Sequence, residues 1–183
     1  GRFVPDTALE GVNVSAMQFR RQDFFERVRG SLERASLDAA QVGLELTEGV
    51  LLDNVNSARE VTAKIRELGL GLCIDDFGTG YSSLSYLQRF PVDVLKIDRS
   101  FVRDLPREDA DSHALARAIA ALAGSLRLSI VAEGVETREQ LDMLVALGCE
   151  SMQGFFFHQP MPLAELAELL ERHELAEQER MGV

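Results

Sequence analysis

The stretch Gly71-Leu72-Cys73-Ile74-Asp75-Asp76-Phe77-Gly78-Thr79-Gly80-Tyr81-Ser82-Ser83 is the most informative part of this sequence. It begins with an apolar run typical of a buried strand, which ends in two adjacent carboxylates and a loop rich in Gly and Ser. Carboxylates beside an apolar run are costly to desolvate unless cations or several donors compensate them, so the pair indicates bound cations. A helix cap or a turn is the alternative, because Asp-Phe-Gly-Thr-Gly is also good turn chemistry.

The composition predicts one soluble globular domain. The chain has 183 residues, of which 46% are hydrophobic, and this is enough for a sizeable core. No run reaches the roughly 18 apolar residues of a membrane span, and residues 1–10 do not resemble a signal peptide. We therefore expect a cytoplasmic domain that does not itself contact a membrane. This expectation also holds if the domain is part of a membrane-anchored protein.

Charge and cysteine content narrow the function. The net charge of −11 argues against a protein that binds a nucleic acid polymer through a broad basic surface. If the ligand is a phosphate ester, cations must bridge it to the protein. The two cysteines are too few for a disulfide framework or a thiolate metal site, so we expect Cys73 and Cys149 in the core.

Short apolar runs alternate with amphipathic stretches along the chain. The runs predict strands over residues 12–14, 42–46, 70–74, 94–97, 129–132 and 151–157. Helical spacing predicts helices over residues 23–34, 56–68, 109–126, 138–147 and 163–177. Thr137 and Gln140 can form a capping box at the start of the fourth helix.

This alternation implies parallel strands with right-handed crossovers, in either a doubly wound sheet or a (β/α) barrel. A barrel collects contributions from all its strand ends on one face, whereas an open sheet has its site at one switch point. Every predicted strand carries a polar side chain within it or near its carboxyl end, which favours an α/β fold of the TIM (β/α) barrel type. Six strands fall short of the usual eight. The polar residues are Asn13, Glu45, Glu48, Asp75, Asp76, Lys96, Asp98, Glu133, Glu136 and Gln153.

Six motifs in register, from about Gly11 to Pro162, resemble one known family. They are Gly11-Val12-Asn13-Val14-Ser15-Ala16, Glu45-Leu46-Thr47-Glu48, the stretch from Asp75 to Ser83, Leu95-Lys96-Ile97-Asp98, Ala132-Glu133-Gly134-Val135-Glu136-Thr137 and Gln153-Gly154-Phe155. The family is the EAL domain, the bacterial cyclic-di-GMP phosphodiesterase. The resemblance implies a modified TIM barrel that uses Mg²⁺ or Mn²⁺ to hydrolyse cyclic-di-GMP to linear pGpG.

The resemblance also implies a two-metal site. Asn13, Glu45 and Asp75 offer oxygen ligands from three strands, which suits a hard cation, and by family analogy they hold the first metal ion. Asp76 faces the second ion, in the arrangement that activates a water for in-line displacement. Glu133 is the implied general base or a second-metal contact through water.

Lys96 is the implied cation of the site, where it orients the water or stabilises charge on the phosphate. A structural ion pair of Lys96 with Asp98 or with a metal-site carboxylate is the alternative. Gln153 suits a guanine edge or a water-bound phosphate, although the residue taken alone favours a buried structural amide. Asp98 and Glu136 are expected to orient metal ligands or Lys96.

We also predict roles for the loop after Asp76 and for a run of phenylalanines. Glu48 resembles the family residue that anchors the loop after Asp76, over residues 78–83, which carries dimer contacts and second-metal geometry in the family. Residues 155–157, three consecutive phenylalanines, can form a base-stacking platform or part of the core. Core is the expectation that we favour.

The Glu-Ala-Leu motif that names the family is absent from this sequence, and its Glu is a ligand of the first metal ion. We interpret residues 1–183 as an EAL domain that is incomplete on its amino-terminal side, with the first one or two βα units missing and a break between about residues 5 and 11. Either the molecule contains residues beyond this sequence or it lacks those units. The first is favoured, because a barrel without two strands exposes parallel edges. True loss of the Glu would reduce activity steeply, whereas binding could survive.

Three functions follow from these patterns. The first is a phosphodiesterase that takes cyclic-di-GMP as substrate and gives pGpG as product. We expect this enzyme to form a homodimer and to be fused to sensory or diguanylate cyclase domains. The second is a catalytically inactive cyclic-di-GMP receptor. The third is a Mg²⁺-dependent barrel lyase of the enolase kind, against which the loop after Asp76 and the Gln153-Gly154-Phe155 motif argue.

Overall fold

Six parallel strands form one sheet in the computed structural model, which describes residues 10–78, 87, 89–106 and 110–181. The strands are β1 (Glu10–Asn13), β2 (Val42–Thr47), β3 (Gly71–Phe77), β4 (Val94–Ile97), β5 (Ser129–Ala132) and β6 (Ser151–Met152). They lie in the sheet in the same order as in the chain. A doubly wound sheet would reverse its strand order at a switch point. The sheet is therefore a curled half-barrel of the (β/α) type, as predicted.

Helices connect the strands. They are α1 (Ala16–Phe19), α2 (Phe24–Ala35), α3 (Glu48–Asp53), α4 (Val55–Glu67), α5 (Arg99–Asp104), α6 (Ala110–Leu126), α7 (Arg138–Ala146) and α8 (Leu163–Met181), with a 3₁₀ turn over Ala39–Gln41. The five longer helices begin within one residue of their predicted starts, and Thr137 and Gln140 form the predicted capping box of α7. The short helices α1, α3 and α5 were not predicted, because four to six residues are too few to show helical periodicity.

The two faces of the sheet differ in chemistry, because side chains alternate between faces along each strand. One face consists of large apolar side chains that are buried against the helices: Leu44, Leu46, Leu72, Ile74, Leu95 and Ile97. Each such side chain contributes about 1.5–3 kcal/mol by its removal from water. On the opposite face the register of β2 and β3 places Glu45 beside Cys73 and Thr47 beside Asp75. The apolar face therefore holds the fold, and the polar face is available for a site.

A buried ion pair joins the strands near their amino ends. The carboxylate of Asp93, which precedes β4, is 4% exposed and accepts hydrogen bonds from the Leu72 N–H at 3.0 Å and from the guanidinium of Arg66 in α4. The Asp93 N–H donates to the Leu72 carbonyl at 2.9 Å, and its carbonyl accepts from the Ser129 N–H at 2.9 Å. Asp93 thus fixes β3, β4 and β5 relative to one another.

The end of the sheet differs from the prediction. β6 ends at Met152 rather than at residue 157, and residues 155–157 form a turn in which the three phenylalanines are 60%, 37% and 42% exposed. The expectation that this aromatic run lies in the core is therefore wrong. The turn follows Gly154, at which a Cβ would come within 2.2 Å of the backbone N and O of Val135. Close approach of two backbones ends the strand there.

Both cysteines are buried and free, as predicted. Burial raises the pKa of the Cys73 thiol to about 12 and that of Cys149 to about 11, so neither forms a thiolate at neutral pH. They act as small core residues.

Some expectations fall on residues that the structure does not describe. The predicted break between residues 5 and 11 lies outside the described residues except for Glu10 and Gly11, which belong to β1. Loop residues 79–83 also lie outside them. Within the described residues no helix is long and apolar enough to cross a membrane.

Candidate active site

The carboxyl ends of the strands bring predicted polar residues to one edge of the sheet. Asn13 in β1 lies beside Glu45 in β2. Lys96 in β4 lies beside Val131 in β5, which places Glu133 just beyond the end of β5. The carboxyl ends of parallel strands are where (β/α) barrels build their active sites, and the residues therefore meet on the expected face.

Lys96 lies at the centre of a carboxylate cluster, which we define as Glu45, Asp75 and Glu133 with Lys96. The Lys96 Nζ is 2.5 Å from Glu133 Oε1, 2.7 Å from Glu45 Oε2 and 3.5 Å from Asp75 Oδ1. The Lys96 side chain is 7% exposed, and the three carboxylate side chains are 12–17% exposed. The described contacts show ion pairs of Lys96 with the carboxylates of this cluster.

Burial and charge act in opposite directions inside this cluster. Burial alone would lower the pKa of Lys96, but its hydrogen bonds to Glu133 and Glu45 outweigh burial, so the pKa of Lys96 rises and the ammonium stays charged. Burial raises the pKa of Glu133 above its ordinary range, and Lys96 offsets this only in part. One ammonium thus faces three carboxylates, which leaves the cluster with excess negative charge.

Gln153 orients Glu133. The Gln153 Nε2 donates to Glu133 Oε1 at 2.8 Å, and the Gln153 N–H donates to the Ala132 carbonyl at 2.9 Å. Because Gln153 is exposed, the alternative of a buried structural amide is wrong. The same carboxylate oxygen of Glu133 therefore accepts from Lys96 and from Gln153.

Asp76 follows Asp75 at a break in the regular backbone of β3. It has φ of 53°, in the left-handed region, at an irregularity in the pairing of β3 with β4. Its N–H donates to Asp75 Oδ1 at 3.0 Å, and its carboxyl group makes a hydrogen bond with that of Asp98. Burial, the charge of Asp75 and the charge and hydrogen bond of Asp98 raise the pKa of Asp76. The adjacent carboxylates Asp75 and Asp76 therefore face different partners.

Asp98 caps α5 and contacts Asp76, but it makes no described ion pair with Lys96. Its Oδ1 accepts from the Ser100 N–H at 3.0 Å and from the Ser100 hydroxyl. Burial would raise the pKa of Asp98, but the hydrogen bonds from Ser100 outweigh it and lower the pKa. Asp98 thus stays ionised next to Asp76, and its predicted role in orienting metal ligands stays a prediction.

The other predicted residues lie at the margin of the site. Asn13 is exposed on β1 beside Glu45. Glu136 is exposed in the loop after β5, where its N–H donates to Gln140 Oε1 at 2.7 Å. Glu48 is the first residue of α3, and the loop that it is predicted to anchor lies outside the described residues.

Sequence reasoning missed two residues that shape this site. Ser100 supplies both donors to Asp98, and an Asp-x-Ser spacing directly after a strand is a helix-start signal that could have found it. Gly134 has φ of 70°, and a Cβ there would come within 2.5 Å of the Arg99 Cβ. Gly134 therefore lets the loop after β5 lie against the start of α5.

The donor chemistry of the site fits hard cations. Carboxylate and amide oxygens from adjacent strands are the ligands that Mg²⁺ and Mn²⁺ prefer, and the cluster has negative charge to neutralise. Within the described part of the chain, no three His, Cys, Asp or Glu side chains are arranged as a ready metal site. The Lys96 ammonium takes up the position between the carboxylates instead.

The family model of the EAL domain matches residues 3–160 of this chain. Cyclic di-GMP phosphodiesterase NbdA of Pseudomonas aeruginosa is 48% identical over 159 residues, which cover 87% of this chain and 20% of NbdA. The bifunctional diguanylate cyclase/cyclic di-GMP phosphodiesterase MucR of the same organism is 45% identical over 85% of this chain and 22% of MucR. The chain thus spans about a fifth of the length of these curated relatives.

Solved structures that contain cyclic-di-GMP are also similar to this chain. A phosphodiesterase structure of MucR in complex with c-di-GMP superimposes with a TM-score of 0.82 at 45% identity, over 85% of this chain and 63% of that chain. A complex of Klebsiella pneumoniae BlrP1 with manganese and c-di-GMP superimposes with a TM-score of 0.73 at 34% identity, over 80% of this chain and 37% of that chain.

Proposed function

The chain belongs to the EAL domain family, and from this premise we propose that it hydrolyses one phosphodiester bond of cyclic-di-GMP to give linear pGpG in bacterial second-messenger signalling. Relatives in the family are named as cyclic di-GMP phosphodiesterases. The observation that carries the proposal is the buried carboxylate cluster around Lys96 at the carboxyl edge of the sheet. Membership of the EAL family argues against the lyase alternative.

We propose that two Mg²⁺ or Mn²⁺ ions serve this reaction. Asn13, Glu45 and Asp75 would hold the first ion, and Asp76 the second. When bound, the ions supply Lewis-acid polarisation of the phosphate and make water a better nucleophile at neutral pH. The excess negative charge of the carboxylate cluster supports this proposal, as does the manganese named for the BlrP1 complex.

Glu133 is the residue proposed to accept the proton of the attacking water. Its raised pKa brings the carboxylate closer to the range in which a general base works best, and Lys96 and Gln153 hold its Oε1 in place. The water oxygen bonds to phosphorus, the bond from phosphorus to the ribose oxygen breaks, and that oxygen takes up a proton. The ring of cyclic-di-GMP opens to pGpG by addition of one water.

Lys96 has two roles in this proposal. Its ammonium orients Glu45 and Glu133, and it places a permanent positive charge where negative charge develops on the phosphate. Because the side chain is buried, solvent screens this charge weakly.

The expectations on partners remain proposals. We propose a homodimer and fusion to sensory or diguanylate cyclase domains, and the bifunctional name of MucR supports the second of these.

The test is to incubate the purified protein with cyclic-di-GMP and Mg²⁺ or Mn²⁺, and to follow pGpG by chromatography. We expect pGpG to accumulate and a chelator to stop its formation. Binding of cyclic-di-GMP without turnover, at either metal ion, would refute the enzyme and favour the receptor. Absence of both binding and turnover would refute any role in cyclic-di-GMP signalling.

A further inference from the structure

Gln140 in α7 is a buried polar side chain that lies outside the carboxylate cluster. It is 4% exposed, and Leu144, one turn further along the same face of the helix, is fully buried. A buried amide costs free energy unless its hydrogen bonds are made. An apolar side chain would pack at this position at a lower cost, so the amide group needs an explanation other than packing.

The capping box of α7 explains part of it. The Gln140 N–H donates to Thr137 Oγ1 at 3.2 Å, and the Thr137 N–H donates to Gln140 Oε1 at 3.0 Å. These two hydrogen bonds complete the box. The same Oε1 also accepts from the Glu136 N–H at 2.7 Å, one residue before the helix cap. The Gln140 amide therefore holds the loop after β5 as well as the start of α7.

This loop is short and is fixed along its length. Only residues 133–136 lie between the end of β5 and the cap of α7. At its start the Glu133 N–H donates to the last carbonyl of β4 at 3.1 Å, and in its middle the buried Val135 donates its N–H to the Gln153 carbonyl at 3.1 Å. Gln140 holds its end. Because the loop has no spare residues, a movement at its end is transmitted to its start.

The side chain at the start of the loop is that of Glu133. Its Oε1 lies 2.5 Å from Lys96 Nζ and 2.8 Å from Gln153 Nε2. Both contacts are at hydrogen-bond distance, so a shift of the loop by about 1 Å would disrupt their geometry. A misplacement of that size at a reacting group can reduce the rate by about 10²-fold.

We propose that Gln140 is a positioning residue for Glu133. Its buried amide oxygen holds the end of the loop after β5 and thereby keeps the Glu133 carboxylate in place for the chemical step. This inference rests on the proposed function, in which Glu133 accepts the proton of the attacking water. Gln140 contacts neither substrate nor metal ion in this proposal and is not a catalytic residue.

The test compares Gln140→Met with Thr137→Val. Both substitutions break the capping box, but Thr137→Val leaves Gln140 Oε1 in place to hold the loop, which makes it the matched control. We expect Gln140→Met to lower the kcat for cyclic-di-GMP by about tenfold to 10²-fold and to leave KM within about twofold, because a proton acceptor acts in the chemical step. Thr137→Val is expected to keep kcat within about twofold of wild type, although both variants lower the midpoint of thermal unfolding. Equal kcat in the two variants would refute the positioning role.

Hydrogen exchange tests the same role without reference to activity. We expect the amides of residues 133–137 to exchange at least about tenfold faster in Gln140→Met than in Thr137→Val, because the Glu136 N–H loses its acceptor only in the former. Equal exchange would show that Gln140 does not hold the loop. If the wild type neither binds nor cleaves cyclic-di-GMP while exchange differs as expected, the proposed function fails and the loop contact stands.

Two further variants separate the hydrogen bonds from packing. Gln140→Glu keeps an acceptor oxygen at the same distance from the backbone, and Glu is the other residue that capping boxes use, so kcat should stay within about threefold of wild type. Gln140→Asn keeps an amide that is one methylene shorter, and its kcat should fall as in Gln140→Met. Equal kcat in Gln140→Glu and Gln140→Asn would overturn the proposal, and this comparison decides the matter if Gln140→Met does not fold.

Discussion

The two ends of the sheet each contain a buried ion pair, but among the contacts given for the described residues the charges balance at only one of them. Near the amino ends Asp93 faces Arg66, one carboxylate with one guanidinium, and also accepts a backbone hydrogen bond. At the carboxyl ends Lys96 faces three carboxylates of the cluster. The first arrangement is satisfied as it stands, whereas the second is short of positive charge.

This difference indicates which end serves stability and which serves function. A balanced buried pair with its lone pairs occupied fixes neighbouring strands, and removal of one partner leaves an uncompensated charge. An unbalanced cluster is not an efficient way to stabilise a fold, because like charges this close raise one another's free energy. In the proposed function, the metal ions would neutralise this excess charge.

The largest expected effect comes from the cluster. We expect Glu133→Gln and Asp75→Asn each to reduce the turnover of cyclic-di-GMP by at least about 10²–10⁴-fold, because a proton acceptor or a metal ligand is lost at nearly constant side-chain volume. The rate of pGpG formation, measured by chromatography, checks this. The midpoint of thermal unfolding in EDTA should stay within a few degrees of wild type. Wild-type turnover in either variant would show that the unbalanced end is not the catalytic one.

The second-largest effect is expected on stability, at the amino ends of the strands. We expect Asp93→Ala to lower the free energy of unfolding by about 3 kcal/mol, because the Arg66 guanidinium and the Leu72 N–H both lose this acceptor. The kcat of the protein that remains folded should stay within about twofold of wild type. Urea unfolding and the pGpG assay measure the two quantities.

Asp142→Ala is the matched control for this prediction. Asp142 also pairs with an arginine, Arg138, at 2.9 Å, but both side chains are more than half exposed. We expect a loss below about 0.5 kcal/mol there. If Asp93→Ala abolished turnover without loss of stability, the assignment of stability to the amino ends and of function to the carboxyl ends would be wrong.

The fold was predictable because its signal is repeated along the chain. Six apolar runs separated by amphipathic stretches predict parallel strands and crossovers, and the capping box at Thr137 marked one helix start correctly. The prediction failed where tertiary contact overrides local pattern. The aromatic residues 155–157 have strand-like composition, but the close approach of Gly154 to Val135 ends β6 before them.

The membership of the site was also predictable, whereas its pairings were not. Polar residues at strand ends predicted that Glu45, Asp75, Lys96 and Glu133 would meet. The sequence could not show that Lys96 reaches Glu45, which lies two strands away, or that Asp76 turns to Asp98 through a left-handed backbone. These details depend on side-chain length and on an irregularity in strand pairing, and neither leaves a periodic signal.

A smaller effect is expected from removal of the ammonium in the cluster. Lys96→Met should raise the affinity of the metal-free protein for Mn²⁺ about tenfold, because an ion that binds Glu45 no longer has to displace a charge-assisted hydrogen bond. Isothermal titration with Mn²⁺ measures this without reference to activity. Lys64→Met is the control, since Lys64 lies on α4 over the Phe25 ring and away from the carboxylates. Equal affinity in the two variants would show that Lys96 and the metal ion do not compete.

The smallest effect is the pH dependence of stability that Glu133 contributes. Burial raises the pKa of Glu133 above the ordinary 4.5, so between 4.5 and that raised pKa the folded protein binds this proton more readily than the unfolded chain does. Stability must then increase as the pH falls through this window, and Glu133→Gln, which cannot titrate, lacks that increase. We expect the free energy of unfolding of wild type relative to Glu133→Gln, measured with urea in EDTA, to rise as the pH falls from neutral to about 4.5. A change of the opposite sign would mean that the hydrogen bond from Lys96 outweighs burial at Glu133, which would overturn the raised pKa of this carboxyl group.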